Sequence, residues 1–305
     1  MIKAVFIDID ETLTNSQREV TEKTKLEIKK CVENGVKIIL TSGRSRREAM
    51  DFQEQIGTSP YIVSSNGASA YDAENGVEIY NERIDPQMVL QLIKHSRENG
   101  YRIKLNYKDL LVMNEADYPD EKDKEVSYEE LERVAVEEQV VQCVITSTDF
   151  EKMRVFRDYI KNECVGIAVA NESKRFKNPD LKPSRNYYCD VAPVKVSKGN
   201  TVKAVCEYFE IKPEEIVTIG DGENDLSMFE LTPNSVAMRN SLPEIKEKAN
   251  YVTDSNDEDG VAKVLGFIIK VNEKEMPFEI DISFCWLKDY EPTVYTHKNK
   301  DFIAP

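Results

Sequence analysis

Histidine is nearly absent from this chain. Two occur in 305 residues, His95 and His297. That is too few for an imidazole-based metal centre, and a Ser-His-Asp hydrolase would also need a G-x-S-x-G elbow that the sequence lacks. Neither a Walker G-x-x-x-x-G-K-[ST] nor a G-x-G-x-x-G is present. The six cysteines, at 31, 143, 164, 189, 206 and 285, include no C-x-x-C pair. They do not read as a zinc site or a disulfide framework, and buried free thiols are the simpler expectation. No apolar run reaches the length of a membrane span, and the opening MIKAVFIDID turns acidic too soon for a signal peptide. A cytoplasmic location follows as the expectation. Positive charge is also short: 41 Lys and Arg stand against 56 Asp and Glu, a formal net charge of −15. An acidic chain of this kind is not suited to nucleic acid or an anionic membrane as partner. An anionic substrate would have to be met by local positive charge or a metal, and catalysis would fall to carboxylates, Lys, Ser/Thr or Cys.

What is present describes a folded globular protein, with 40% hydrophobic and 32% charged residues. Its length suits two domains. Lys3 to Ile9 is a near-continuous apolar run and reads as a buried parallel strand. Helical spacing from Thr21 to Asn34, a strand from Val36 to Leu40, a helix opened by Ser45 and Glu48, and a strand from Tyr61 to Val63 follow. This alternation predicts an α/β fold, a Rossmann-like parallel-sheet core with right-handed crossovers. A hairpin is expected around Asn75-Gly76, over about Ala68 to Tyr80. From residue 82 to 190 the pattern becomes mixed α+β, enough for a small cap domain inserted into the first. The α/β rhythm returns at Lys198, so the core is expected to comprise 1–81 and 191–270. Residues 271–305, which hold the only tryptophan, Trp286, fit neither half and read as a C-terminal extension or a dimer contact; monomer and homodimer both stay open.

Four motifs lie where such a sheet gathers its ligands, at the carboxyl ends of strands or the start of a helix. They are Asp8-Ile9-Asp10-Glu11-Thr12, Thr41-Ser42-Gly43-Arg44, Lys198-Gly199 and Gly220-Asp221-Gly222-Glu223-Asn224-Asp225. Brought together, Asp8, Asp10, Asp221 and Asp225 form a carboxylate cluster. At an effective dielectric of about 20, each like-charge pair at about 4 Å costs about 4 kcal/mol. Lys198 alone cannot offset several such pairs. The cluster needs raised pKa values or a divalent cation, and all-oxygen ligands beside a phosphate favour Mg²⁺.

In this order the motifs resemble the haloacid dehalogenase (HAD) superfamily, specifically the Cof-type phosphatases with a type-2B cap (subfamily IIB). D-x-D-x-T matches Asp8, Asp10 and Thr12; the strand-ending Ser/Thr, usually within T-G-R, matches Ser42; the K-G lysine matches Lys198; G-D-x-x-N-D matches Asp221, Asn224 and Asp225. Asn66-Gly67 and the run from Asp257 to Ala262 also look like this family, and the resemblance covers residues 1–270. It implies a Mg²⁺-dependent phosphatase acting on a small phosphorylated metabolite. Asp8 would be the nucleophile and Asp10 the general acid and base, with a pKa kept above that of Asp8. Ser42, within Ser42-Gly43-Arg44, would bind a phosphate oxygen. Lys198 would neutralise Asp8 and the phosphoryl group, and Asn224 would orient the phosphate side. Asp8, the backbone carbonyl of Asp10, and Asp221 would hold Mg²⁺, with Asp225 as ligand or support.

Two positions depart from the family. Glu11 replaces the usual Gly and is expected to point away, and Arg239 stands where Gly is common, either phosphate-facing or simply exposed. Arg44 reads equally as a structural ion pair or a substrate contact. The run Lys174, Arg175, Lys177, Lys182, Arg185 is either a greeting surface for an anion or a solvated face, and His95 reads as structural. A phosphomutase on the same fold and a non-enzymatic phosphate-binding relic remain the alternatives.

Overall fold

The computed structural model describes residues 1–108, 110–114, 124–178, 180–183 and 186–273. Trp286, His297, Cys285, Arg185 and all but the first three residues of the 271–305 extension lie outside the described residues.

The chain opens with β1 (Ala4–Ile7), α1 (Glu22–Glu33), β2 (Lys37–Thr41), α2 (Arg46–Ile56) and β3 (Tyr61–Ser64). Thr21 caps α1 by accepting from the Thr24 amide, and Ser45 and Glu48 close a reciprocal capping box on α2. The hairpin forms as β4 (Ser69–Asp72) and β5 (Val77–Asn81). Next come α3 (Pro86–Asn99), β6 (Arg102–Tyr107), β7 (Leu110–Asn114), β8 (Lys124–Val126), α4 (Tyr128–Glu137) and β9 (Val140–Ser147). They are followed by α5 (Phe150–Glu163), β10 (Ile167–Glu172) and β11 (Tyr187–Pro193). Alternation then returns with α6 (Lys198–Tyr208), β12 (Ile216–Gly220), α7 (Leu226–Phe229), β13 (Ser235–Ala237), α8 (Pro243–Lys246), β14 (Tyr251–Val252) and α9 (Gly260–Glu273).

The first sheet has the order β14-β13-β12-β1-β2-β3-β4-β5, parallel from β14 to β3 and antiparallel beyond. Both its faces are covered. Val5 and Ile7 pack with Ile28 of α1 and Leu265 of α9, while Ala4 and Phe6 pack with Val202 of α6 and Phe229 of α7. A strand buried on both faces shows no polar alternation, which is why β1 is a plain apolar run. The second sheet, β10-β11-β9-β6-β7-β8, is antiparallel except for the β7–β8 pair. Its Ile103, Leu105, Cys143, Ile145, Cys189 and Val191 bury against α3, α4 and α5. The alternate residues, among them Lys104, Gln142, Tyr188 and Asp190, occupy the other face. The fold is therefore α/β, a Rossmann-like core sheet carrying an additional sheet.

Several local expectations change. β1 stops at Ile7 because Ile9–Leu13 forms a tight turn with Glu11 at φ 60°. The helices expected after Asn224 and Pro243 are single turns. The last helix starts at Gly260 and not at Glu258, because Asp259 takes a left-handed φ of 58°. Cys31, Cys143, Cys189 and Cys206 are buried free thiols, and Cys164 is half-buried. Among the described residues no helix is long and apolar enough to cross a membrane.

Candidate active site

The parallel pairing of β1 with β12 sets Ile7 opposite Ile219. The Asp8 amide then donates to the Ile219 carbonyl at 3.0 Å, so Asp8 leaves the sheet beside Gly220-Asp221. A Cβ on Gly220 would lie 2.4 Å from Asp225 Oδ2. The missing side chain lets Asp225 fold back, and its Oδ2 accepts from the Asp221 and Gly222 amides, each at 2.9 Å. The other Asp225 oxygen accepts from Lys198 Nζ at 2.6 Å, and Asp8 Oδ1 accepts from the same ammonium at 2.5 Å. Lys198 is fully buried. It is carried in by the start of α6, where Ser197 caps the helix and Gly199 lets it lie against α7; a Cβ on Gly199 would fall 2.2 Å from the Ser227 carbonyl.

Asp8, Asp221 and Asp225 are all buried, and each offers an oxygen within 4.8 Å of the others. They are the one such cluster among the described residues. Burial, then the neighbouring Asp225 and Asp221 charges, push Asp8 well above the usual carboxylate range against the pull of Lys198. Burial likewise raises Asp221 to about 6, opposed by Lys174. Burial works against the Lys198 ammonium, but Asp225 and Asp8 more than offset it and move its pKa upward. Three hard oxygen donors that repel one another and lack a full complement of cations could hold a divalent cation.

Asp10 sits apart from this group. Its half-exposed carboxylate receives both arms of the Arg44 guanidinium, at 2.9 and 2.7 Å, and Arg44 lies over the Phe52 ring at 4.4 Å. Burial raises the Asp10 pKa, yet the hydrogen bonds and charge of Arg44 outweigh it and the carboxyl ends below its ordinary value. The order expected of a nucleophile and an acid is thus reversed in this arrangement: Asp8 is held up by burial and Asp10 down by Arg44. Arg44 is an ion-pair partner here. Ser42 is buried, donates its amide to Val63 at 2.9 Å and accepts the Arg44 amide on Oγ at 3.2 Å. Gly43 packs on Asn66, whose Oδ1 would lie 2.9 Å from an added Cβ. Asn224 turns to Asn66 at 2.9 Å and not to the acids.

Several residues named from the sequence make contacts that it did not foretell. Thr12 Oγ1 donates to Asp221 Oδ1 at 3.0 Å. Lys174 Nζ donates to Asp221 Oδ2 at 3.0 Å and to Glu11 Oε2 at 2.5 Å, while Lys177 pairs with Glu223. Glu11 therefore points at the second sheet's lysine; nothing but the run of basic residues had hinted at it. Arg239 pairs with Asp254 and Glu258. His95 stacks on Tyr159 with centroids 3.8 Å apart, a packing role.

Asp190 was not singled out from the sequence. It is a buried acid in the otherwise apolar-and-tyrosine strand β11, and it accepts from Asn66 Nδ2 at 2.8 Å, so Asn224, Asn66 and Asp190 form one chain of contacts between the sheets. Burial raises its pKa to about 7 against the Asn66 hydrogen bond and the Lys104 charge. The folded protein then binds a proton here that the unfolded chain releases near pH 4, so this contribution to stability is present at low pH and lost as pH climbs toward 7. An Asp190→Asn variant is expected to gain relative stability between pH 4.5 and 8, on the order of 2–4 kcal/mol. Urea midpoints across that range check it, and parallel wild-type and variant profiles would refute it.

A profile of the haloacid dehalogenase-like hydrolases matches residues 5–265. The chain belongs to this family. Phosphatase YwpJ of Bacillus subtilis is 25% identical over 292 residues, covering 88% of this chain and 100% of that one. The crystal structure of a haloacid dehalogenase-like hydrolase from Bacteroides thetaiotaomicron superimposes with a TM-score of 0.76 at 24% identity, over 88% of this chain and 100% of that one. A sugar phosphatase of HAD subclass IIB gives a TM-score of 0.70 at 22% identity, over 87% and 98%. These two structures carry the fold, second sheet included.

Proposed function

We propose that this haloacid dehalogenase-like hydrolase is a Mg²⁺-dependent phosphatase of small phosphate monoesters that works through an aspartyl-phosphate on Asp8. The observation that carries the reading is the buried Asp8 carboxylate held by a buried Lys198 beside Asp221 and Asp225. The name of the phosphatase relative points the same way.

Asp8 would attack phosphorus through the oxygen that Lys198 does not hold. The bond from phosphorus to the leaving oxygen breaks, and Asp10 gives that oxygen its proton. Asp10 then takes a proton from water as the water attacks the aspartyl-phosphate, which frees inorganic phosphate and restores Asp8. For Asp10 to hold that proton, the Arg44 fork must leave it; phosphate oxygens near Ser42 and Gly43 offer the guanidinium a new bidentate partner. Asp8, Asp221 and Asp225 would hold Mg²⁺, with the Asp10 carbonyl as a further oxygen, and the bound ion supplies charge stabilisation for the phosphoryl oxygens. Residues 82–190 act as the cap in this reading. Support comes from Asn66 on Asp190 and from Gln142, which donates to the Gly43 carbonyl at 3.3 Å, both reaching across the two sheets.

The test is phosphate release from an aryl phosphate and from a panel of sugar phosphates and nucleotides. With Mg²⁺ the protein should turn over; chelation should cost about 100-fold or more, restored by added Mg²⁺. Isomerised ester without inorganic phosphate would identify a mutase, and no turnover of any ester would refute the reading.

A further inference from the structure

Both oxygens of the Asp221 carboxylate are engaged. Thr12 donates to one oxygen and Lys174 to the other, at 3.0 Å each. Lys174 does not come from the core. It stands on the short turn Lys174–Phe176 between β10 and β11, in the second sheet. That turn is anchored: the Ser173 amide donates to the Tyr188 carbonyl at 3.1 Å, the Tyr188 amide donates to Ser173 Oγ at 2.8 Å, and Arg175 donates to the Tyr187 hydroxyl at 2.7 Å. The ammonium is thus delivered by one sheet to a carboxylate of the other, with Glu11 as its second partner at 2.5 Å.

A divalent cation held by Asp8, Asp221 and Asp225 would sit beside this ammonium. Both seek the same carboxylate, and like charges at that distance repel. We infer that Lys174 is a tethered counter-ion that competes with the divalent cation for Asp221, so that the Lys174 contact between the sheets and metal loading oppose each other. The inference rests on the reading of the three acids as a metal site. Because coupling between two ligands of one site is reciprocal, the cation weakens the contact as much as the contact weakens the cation. Glu11, at the family's glycine position, gives the displaced ammonium a place to remain. The apparent affinity for metal is lowered by the fraction of molecules in which Lys174 holds Asp221. The side chains of Lys174 and Glu11 are about half exposed, so salt screens their part of the contact.

The experiment is a calorimetric titration of Mg²⁺ into the full-length wild type, Lys174→Met and Lys174→Arg, with the Mg²⁺-induced rise in melting temperature as a second readout. Lys174→Met should bind Mg²⁺ about fivefold to thirtyfold more tightly than wild type at low ionic strength. That advantage should shrink severalfold in concentrated KCl, and Lys174→Arg, which keeps the charge, should stay near wild type. Equal or weaker binding by Lys174→Met overturns the inference alone. Absence of Mg²⁺ binding in all three proteins overturns it together with the metal reading.

Discussion

An Asp8→Asn variant is expected to lose phosphate release by on the order of 10⁴-fold or more, yet to melt at or above the wild-type temperature at pH 8. The two halves of this result have one cause. Asp8 is buried among carboxylates and its pKa is pushed well up by that burial. A group of this kind stabilises the fold while protonated and loses that contribution as pH rises through its raised pKa, so its ionised form is a burden at pH 8. Asparagine is close in shape, can still accept the Lys198 hydrogen bond through its amide oxygen, and carries no charge. What it cannot do is attack phosphorus. A reactive group that weakens the fold which holds it is the usual trade at an active site. Retained turnover would remove Asp8 from the role of nucleophile, and a loss of several degrees would refute the claim that its buried charge burdens the fold. Phosphate release and a thermal melt on the same preparation decide it.

Lys198→Met is expected to do the opposite to stability. The ammonium is fully buried and touches Asp8 and Asp225 at 2.5 and 2.6 Å. Methionine fills much of the same space, so packing is largely kept, but two buried carboxylates are left facing each other. Breaking a buried pair in this way typically costs about 3–5 kcal/mol. Urea denaturation at pH 8 measures it. The loss should be smaller in an Asp8→Asn background, because one of the orphaned charges is then gone and the two changes share a partner. Mg²⁺ should recover more stability in Lys198→Met than in wild type, since it replaces part of the missing positive charge. A change under 1 kcal/mol would mean that the acids do not depend on this lysine.

The parallel core was legible because strands buried on both faces must be apolar runs, and the polar residues at their ends stand out against them. Asp8 after AVFI, Ser42 after KIILT and Asp221 after IVTIG are all of this kind. Lys198 was legible from the glycine beside it at the start of a helix. The partners were harder. Arg44 was seen, but its grip on Asp10 depends on a rotamer. Lys174 and Asp190 reach the site only through the way the second sheet docks on the first, which links Asn66 to a residue 124 positions away. No local pattern encodes such a distance. α7 and α8 are four residues each, shorter than the helical period needs to show itself. At Glu11 the backbone explains the family's glycine: φ is 60° there, a conformation that L side chains rarely adopt. The Asn240 side chain helps to hold it by donating to the Glu11 carbonyl at 2.8 Å.

The strand β1, which precedes the rest of its sheet in the sequence, is central in space. β1 finds β2 soon after it is synthesised, but its other neighbour, β12, pairs Ile7 with Ile219. On a ribosome the growing polypeptide therefore carries a bare, apolar strand edge while all of residues 82–190 emerge. Such an edge invites pairing with other chains until it is covered. Chains cut off before residue 216 should accordingly collect in aggregates, and the closure of β12 onto β1 also brings Asp221 beside Asp8, so the buried acids meet only once this edge of β1 is covered.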